Sequence, residues 1–348
     1  RDRHRRIPAR PAVRNLEPGE IAIGPPISMS QPICRIAYFG HNRRDTAFLR
    51  RIQAFLDAGV DVVTFTFRRD GDPEHPGPPW NSVDLGYVEH ARLFERIAVY
   101  LRAAATVIRR RRALLDSDVI YARNLDVFAF AAFAFALAAP RASRSLAFLY
   151  ECLERHEALT KRSRLAALLR WIERRVLDRA CLLVVSSPGF VRHYFGPVQG
   201  YRAAFCCVEN KLYFKAGETR PLRECPSASV AGAAGATVLT IGWIGIVRCK
   251  RTLALLKTLA LARPKDIRVR IAGRVSYFLI EDFDEQIAGI ANIEVAGVYD
   301  WPDGLASAYR GVDIVFAQEL SWKGANSDWL IPNRVYEASY FGRPSVSA

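Results

Sequence analysis

Short apolar runs alternate with longer stretches of helical periodicity along most of the chain. Ile33–Phe39 (ICRIAYF) has strand length and leads into the polar loop GHNRRD. Thr46–Ala58 then places Phe48, Ile52, Phe55 and Leu56 on one helical face. Val60–Phe67 is a second strand and Asp70–Pro79 a Pro/Gly loop. Arg92–Leu115 reads as one long amphipathic helix with Leu93, Ile97, Leu101, Ala104 and Ile108 inward, ending in the basic run Arg109–Arg112. Asp118–Ala122, Ser145–Tyr150, Leu182–Val185 and Cys206–Val208 are further strands. Between them lie an apolar helix through Val127–Ala139, which reads as buried against the sheet, and a basic amphipathic helix over Leu165–Ala180. Leu165, Leu168, Leu169, Ile172 and Val176 form the inward face of the latter. Ser186-Ser187-Pro188 opens one more helix. Strand–helix alternation of this kind implies a parallel, doubly wound sheet.

A second alternating series starts at Thr237. The strands TVLTIGW, IRVRIAG, IEVAG and VDIVFA are separated by helices over Thr252–Ala262, Glu281–Gly289 and Pro302–Arg310. Ala216–Ala236, rich in Ala, Gly, Pro and Ser, reads as the linker between the two series. The expected organisation is an N-terminal Rossmann-like domain over residues 29–215, a linker over 216–236 and a second Rossmann-like domain over 237–348. Residues 1–28 are rich in Arg and Pro without periodicity and read as a disordered leader. Because the one methionine is Met29, those residues are expected not to belong to the natural protein.

Composition adds a core and a charge asymmetry. Half of the 348 residues are hydrophobic and 24% are charged, which suits two globular domains. The net charge of +15 is concentrated early: residues 29–215 carry 29 basic and 18 acidic side chains, against 15 and 14 over 216–348. A basic face of this size suits anionic lipid, nucleic acid or an anionic substrate. No exposed-aromatic pattern or nucleic-acid reader motif accompanies it, so nucleic acid is not expected as a partner. The seven cysteines include no CxxC pair and read as reduced thiols; Cys249, between Arg248 and Lys250, suits a lowered thiol pKa. Val127–Ala139 is too short to span a bilayer, which takes roughly 20 residues.

Chemistry concentrates in the closing stretch, ANSDWLIPNRVYEASYFGRPSVSA, Ala325–Ala348. Pro332 suits the first helical position, Val335, Ala338 and Ser339 fall on one side, Gly342 and Pro344 stop the helix, and Ser345 starts a buried strand. A polar loop thus feeds a helix whose first turns carry Asn333, Arg334 and Glu337, and such an N-terminus suits a nucleotide diphosphate. The stretch EASYFGRP resembles the donor-binding segment of GT-B glycosyltransferases. With PNR and YE in front, it is similar to bacterial exopolysaccharide glycosyltransferases of the succinoglycan-pathway type. The order DVIYARN, YECLERH, VVSSPGFVRHYF, VENKL, IGWIGIVRCKRTLALL and PNRVYE extends the resemblance over roughly residues 33–348. It implies two Rossmann-like domains facing a cleft, and a metal-independent hexosyltransferase. The donor would be a nucleotide-diphosphate sugar, a UDP-sugar first, with no cofactor, and the acceptor a polyprenyl-linked saccharide. The enzyme would be peripheral at the inner face of the cytoplasmic membrane, bound to anionic lipid through its basic helices. In that family the chain continues past the Pro, so a truncated or degenerate GT-B protein that binds its donor without turnover is the alternative.

Site residues follow from the same motifs. In IGWIGIVRCKR, Gly245 lets the backbone approach a ligand, and Arg248 and Lys250 would neutralise the leaving diphosphate. The resemblance implies that Glu337 bonds the donor's ribose hydroxyls. The family's second Glu, eight residues earlier, is Trp329 here, which leaves Asp328 or Asn326 to replace it. Glu151 and His156, with Glu154, lie at the carboxyl end of a first-domain strand and are candidate bases for the acceptor hydroxyl. Arg123 and Asn124 follow the preceding strand and are expected to line the acceptor site. Asp70-Gly-Asp72 mimics a metal motif in a Pro-rich turn, and no metal is assigned. A nicotinamide oxidoreductase would need GxGxxG after the first strand, where GHNRRD has one Gly.

Overall fold

A computed structural model describes residues 33–68, 80–88, 93–139, 146–154, 159, 161, 163–214, 238–320 and 329–347. The leader, the Asp70-Gly-Asp72 turn, His156, the linker over 216–236, Asn326 and Asp328 lie outside the described residues. The chain forms two compact units, residues 1–209 and 210–348. Leu212 and Phe214 pack on the second unit, against its buried cluster and Tyr340 respectively.

The first unit carries strands β1 (Arg35–Gly40), β2 (Asp61–Arg68), β3 (Asn81–Tyr87), β4 (Val119–Arg123), β5 (Ala147–Cys152), β6 (Leu182–Val185) and β7 (Phe205–Cys207). They form one parallel sheet in the order β3-β2-β1-β4-β5-β6-β7. The reversal of winding between β1 and β4 is the switch point at which open α/β sheets gather ligands. Helix α1 (Thr46–Asp57) is capped by Asp45, whose carboxylate accepts from the Phe48 amide, and it buries Phe48 and Ile52 against β1 and β4. Strand β3 escapes the sequence pattern. It is an edge strand whose polar positions outnumber Val83 and Leu85, the two it buries.

Three helices depart from their expected faces. The stretch Arg92–Leu115 is two helices, α2 (Leu93–Arg109) and α3 (Arg111–Leu115), which meet at Arg110. Ala103, Ala104 and Val107 face the core, while Leu101 and Ile108 are exposed. The small side chains let α2 pack closely on α4 (Leu125–Ala138), and this decides the face over hydrophobicity. Ala104→Leu is therefore expected to cost about 1–3 kcal/mol by overpacking, and Leu101→Ser under about 0.5 kcal/mol, read by urea denaturation. Helix α4 buries most of its length but exposes Phe133 and Leu137. Helix α5 (Arg164–Arg179) turns Ala166, Glu173, Val176 and Leu177 inward and leaves Leu165 and Leu168 outside. Glu173 sets that rotation: its buried carboxylate accepts hydrogen bonds from Tyr150, Tyr194 and Gln199. A polar residue with satisfied partners thus wins an inward position from two leucines.

The second unit has strands β8 (Leu239–Ile244), β9 (Ile267–Ala272), β10 (Ile293–Gly297), β11 (Ile314–Phe316) and β12 (Ser345–Val346). Their order is β10-β9-β8-β11-β12, again parallel and doubly wound. After the short helix α6 (Pro188–Phe190) of the first unit, the helices here are α7 (Lys250–Ala262), α8 (Phe283–Ile287), α9 (Leu305–Tyr309) and α10 (Asn333–Tyr340). Pro332 is the cap of α10 and not its first helical residue, with φ −61° and ψ 144°. Ala338 faces the core as expected, but Ser339 is exposed and Glu337 is buried in its stead. Val346 is also exposed, on β12, the last strand in the sheet order among the described residues.

Candidate active site

In the first unit the carboxyl ends of β1, β4 and β5 carry a buried ionic network. Glu151 on β5 is fully buried. Its Oε1 accepts from Arg51 Nε and Nη2 at 3.1 and 2.8 Å, and its Oε2 accepts from Arg123 Nε at 3.0 Å and the Tyr38 hydroxyl at 2.9 Å. Arg123 Nη1 also donates to Asp45 at 2.7 Å, which ties the α1 cap to the network. Burial alone would raise the Glu151 pKa, but Arg123 and Arg51, with the hydrogen bonds from Arg51 and Tyr38, bring it down to about 2. A carboxylate so engaged is a weak base. Its geometry suits holding two guanidinium groups better than taking a proton from an acceptor.

Arg123 and Asn124 sit where β4 enters α4. Arg123 is 1% exposed, and among the described residues its Nη2 has no hydrogen-bond partner, nor has Asn124 Oδ1. Asn124 has φ 66° and ψ 158°, a region otherwise left to glycine, with its amide fixed by the Glu151 carbonyl at 2.8 Å. Strain and two unsatisfied polar atoms thus coincide at one helix N-terminus, beside the network that Glu151 holds. Arg51, Asp45 and Tyr38 were not singled out by motif. Arg50-Arg51 inside the apolar periodicity of α1 was the available signal.

In the second unit the structure brings Gly245, Arg248, Arg334 and Glu337 together at the carboxyl ends of the strands. Gly245 has φ 104°, and the space its Cβ would fill is open. Arg248 is held by a bidentate pair to Glu319, with Nε and Nη2 at 2.6 and 2.9 Å from its oxygens. Arg334, in the first turn of α10, donates from Nη2 to the Ile246 carbonyl at 3.4 Å and so reaches back to the β8 loop. Burial draws the Arg334 pKa below its ordinary value, against the charges of Glu319 and Glu337. The Tyr309 hydroxyl donates to Glu337 Oε2 at 2.9 Å, and burial with Glu337 pushes the tyrosine's pKa well up. Lys250 stands exposed in the first turn of α7, and its charge acts on Asp282. Asn333 is exposed as the first residue of α10. Cys249 is buried as the cap of α7, its sulfur accepting from the Thr252 amide at 3.4 Å. Glu319, Tyr309 and Gly273 complete the cluster without any motif to announce them. Among the described residues no group of three or more His, Cys, Asp or Glu is placed to hold a metal ion.

Comparison with known proteins bears on this geometry. No protein-family model matches the chain. It is 31% identical over 313 residues to the succinoglycan biosynthesis protein ExoL of Rhizobium meliloti (strain 1021), covering 90% of this chain and 76% of that protein. Among solved structures, it is similar to Anabaena HepE in complex with UDP and glucose (TM-score 0.57, 13% identity, 90% of this chain and 80% of the other). It is equally similar to the lipopolysaccharide outer core galactosyltransferase WaaB (TM-score 0.57, 13% identity, 90% and 80%). These structures share the two-unit fold, and the relation to ExoL extends along nearly the whole described chain. With both, the chain belongs to the GT-B glycosyltransferases of the exopolysaccharide type.

Proposed function

We propose that this glycosyltransferase moves a hexose from a UDP-sugar to a lipid-linked saccharide, without a metal, at an anionic membrane surface on the cytoplasmic side. One observation carries the donor half: Arg248 and Arg334 are fixed around the glycine loop of β8, beside Glu337 and the N-terminal turn of α10. Breaking the bond between the anomeric carbon and the diphosphate oxygen leaves negative charge on the leaving group. Two preorganised guanidinium groups and helix N–H groups stabilise that charge where it develops. Glu319 orients Arg248 before the donor arrives, so little reorganisation is left for the chemical step. Glu337, fixed by Tyr309, is the proposed partner of the ribose hydroxyls. That HepE was solved with UDP and glucose supports a uridine nucleotide.

For the acceptor half we assign Arg123 and Asn124 as the binding pair and Glu151 as their anchor. The proton of the attacking hydroxyl then goes to another group, for which His156 remains the proposed base. Calorimetric titration with UDP tests the donor site. The protein is expected to bind UDP, and Arg248→Ala and Glu337→Ala each to weaken binding by about tenfold or more, the scale of one lost charged hydrogen bond. Unchanged affinity in both variants would overturn the donor-site assignment.

A further inference from the structure

The proposed membrane partner can be given a face. In a right-handed doubly wound sheet, the connections β3–β4, β4–β5 and β5–β6 all run on one side. They are α2, α4 and α5, with α4 packed between the other two. Solvent meets apolar side chains there that the core does not use: Leu165, Leu168 and Trp171 on α5, at 61%, 51% and 52% exposure, and Phe133 and Leu137 on α4. On α5 these fall at the i, i+3 and i+6 positions, Leu168 and Trp171 on the side away from the inward Glu173 and Leu165 on the flank next to Val176. Single apolar side chains are ordinary on a surface, but three at helical spacing on α5 with two more exposed on the neighbouring α4 exceed that.

Charge identifies the occupant. Arg164, Arg175 and Arg179 flank these side chains on the outer side of α5 and are exposed. Arg175 stacks its guanidinium over Trp171, 5.4 Å from the ring centroid. Arg102 and the run Arg109–Arg112 stand exposed on α2 and α3. A second copy of the chain would bring like charges together across such an interface. A nucleic acid would satisfy the arginines and leave the leucines in water. An anionic bilayer satisfies both, with Trp and Leu at the acyl boundary and Arg at the headgroups.

We propose that α5, with the outer face of α4, lies in the plane of an anionic membrane and inserts Leu165, Leu168 and Trp171 into the headgroup–acyl boundary. This deepens the membrane reading above by naming which side chains enter the lipid. It also adds an insertion term to the electrostatic one. No helix of the described residues is long and apolar enough to cross a membrane, in keeping with a face that lies on the bilayer.

The test is flotation of the full chain with phosphatidylglycerol/phosphatidylcholine vesicles and with pure phosphatidylcholine vesicles at physiological salt. The wild type is expected to float with the anionic vesicles. The variant Leu165→Ser/Leu168→Ser/Trp171→Ser should lose at least about tenfold in partitioning while keeping its melting temperature, since all three side chains are exposed. Arg164→Gln/Arg175→Gln/Arg179→Gln should lose about fivefold per arginine. Bromine-labelled lipid should quench tryptophan in the wild type and not in the serine variant. Wild-type partitioning by the serine variant overturns insertion. So does a wild type that ignores vesicles and forms a dimer that the serine variant abolishes, because the face then takes a second copy. Vesicle-blind binding to duplex DNA overturns it in favour of nucleic acid. UDP titration keeps the outcomes apart: a wild type that binds UDP but does not float counts against this face alone, a wild type that floats without binding UDP counts against the donor site alone, and the serine variant is expected to lose flotation with UDP binding intact.

Discussion

Glu151→Gln is expected to destabilise the first unit by about 3–5 kcal/mol, the usual cost of removing one partner from a buried ion pair. The substitution keeps the side chain's size. It replaces an anion that four donor contacts address with an amide that accepts at one end and presents N–H groups to guanidinium at the other. Arg123 and Arg51, 1% and 14% exposed at the side chain, would then keep Asp45 as the one nearby counter-charge that the network supplies. Urea denaturation with hydrogen exchange of the β4 and β5 amides reads the loss where it arises. The acid limb gives an independent check. Because the folded pKa of Glu151, about 2, lies below its ordinary 4.5, its contribution is complete above pH 4.5 and disappears as pH falls through the folded value. That is roughly 3 kcal/mol lost on acidification, and the Gln variant should lack this component of the pH dependence. A variant that melts like the wild type and loses only turnover would return Glu151 to the role of base.

The network also shows what was legible beforehand. YECLERH marked Glu151 as a charged residue at the end of a strand, where chemistry gathers, and that placement is right. Its partners were hidden because Arg51 comes from a helix read only for its apolar face, and Tyr38 from the interior of an apolar strand. Parallel register sets Arg123 beside Glu151 and Tyr38 beside Tyr121, two residues before Arg123 on the same strand, and no local window contains a register. The helices tell the same story in reverse. Periodicity found α2 and α5, but on both the packed face was decided by something other than hydrophobicity: close approach through Ala103 and Ala104 on α2, and the satisfied carboxylate of Glu173 on α5. In the second unit the motif residues Gly245, Arg248, Arg334 and Glu337 come together because each follows a strand or opens a helix at the same sheet edge. Glu319 and Gly273 carry no motif, and their roles appear only when neighbouring loops touch.

Gly273→Ala is the sharpest test of that contact, and it should be among the most damaging single substitutions in the second unit. Gly273 has φ 132°, and a methyl group there would fall inside the Gly245 carbonyl group, 2.7 Å from its carbon. The two loops cross because parallel pairing continues past the strand ends: Gly245 N donates to Ala272 O at 2.8 Å, Val247 N to Arg274 O at 2.9 Å, and Ser276 N to Val247 O at 2.9 Å. Neither backbone can yield alone without breaking bonds in the other. The loop that would be displaced carries Arg248 and the Ile246 carbonyl that receives Arg334. The expected result is a loss of about 2–4 kcal/mol in stability, within the range for overpacking with backbone strain. UDP affinity should fall about a hundredfold, as misplacement by an ångström commonly costs. Gly245→Ala is the control, because its Cβ would enter open space and only the positive φ is penalised, at about 1–2 kcal/mol. If the two variants melt alike, backbone conformation alone explains both glycines. If Gly273→Ala is clearly the worse and takes UDP binding with it, the crossing of the β8 and β9 loops is what holds the arginines in place.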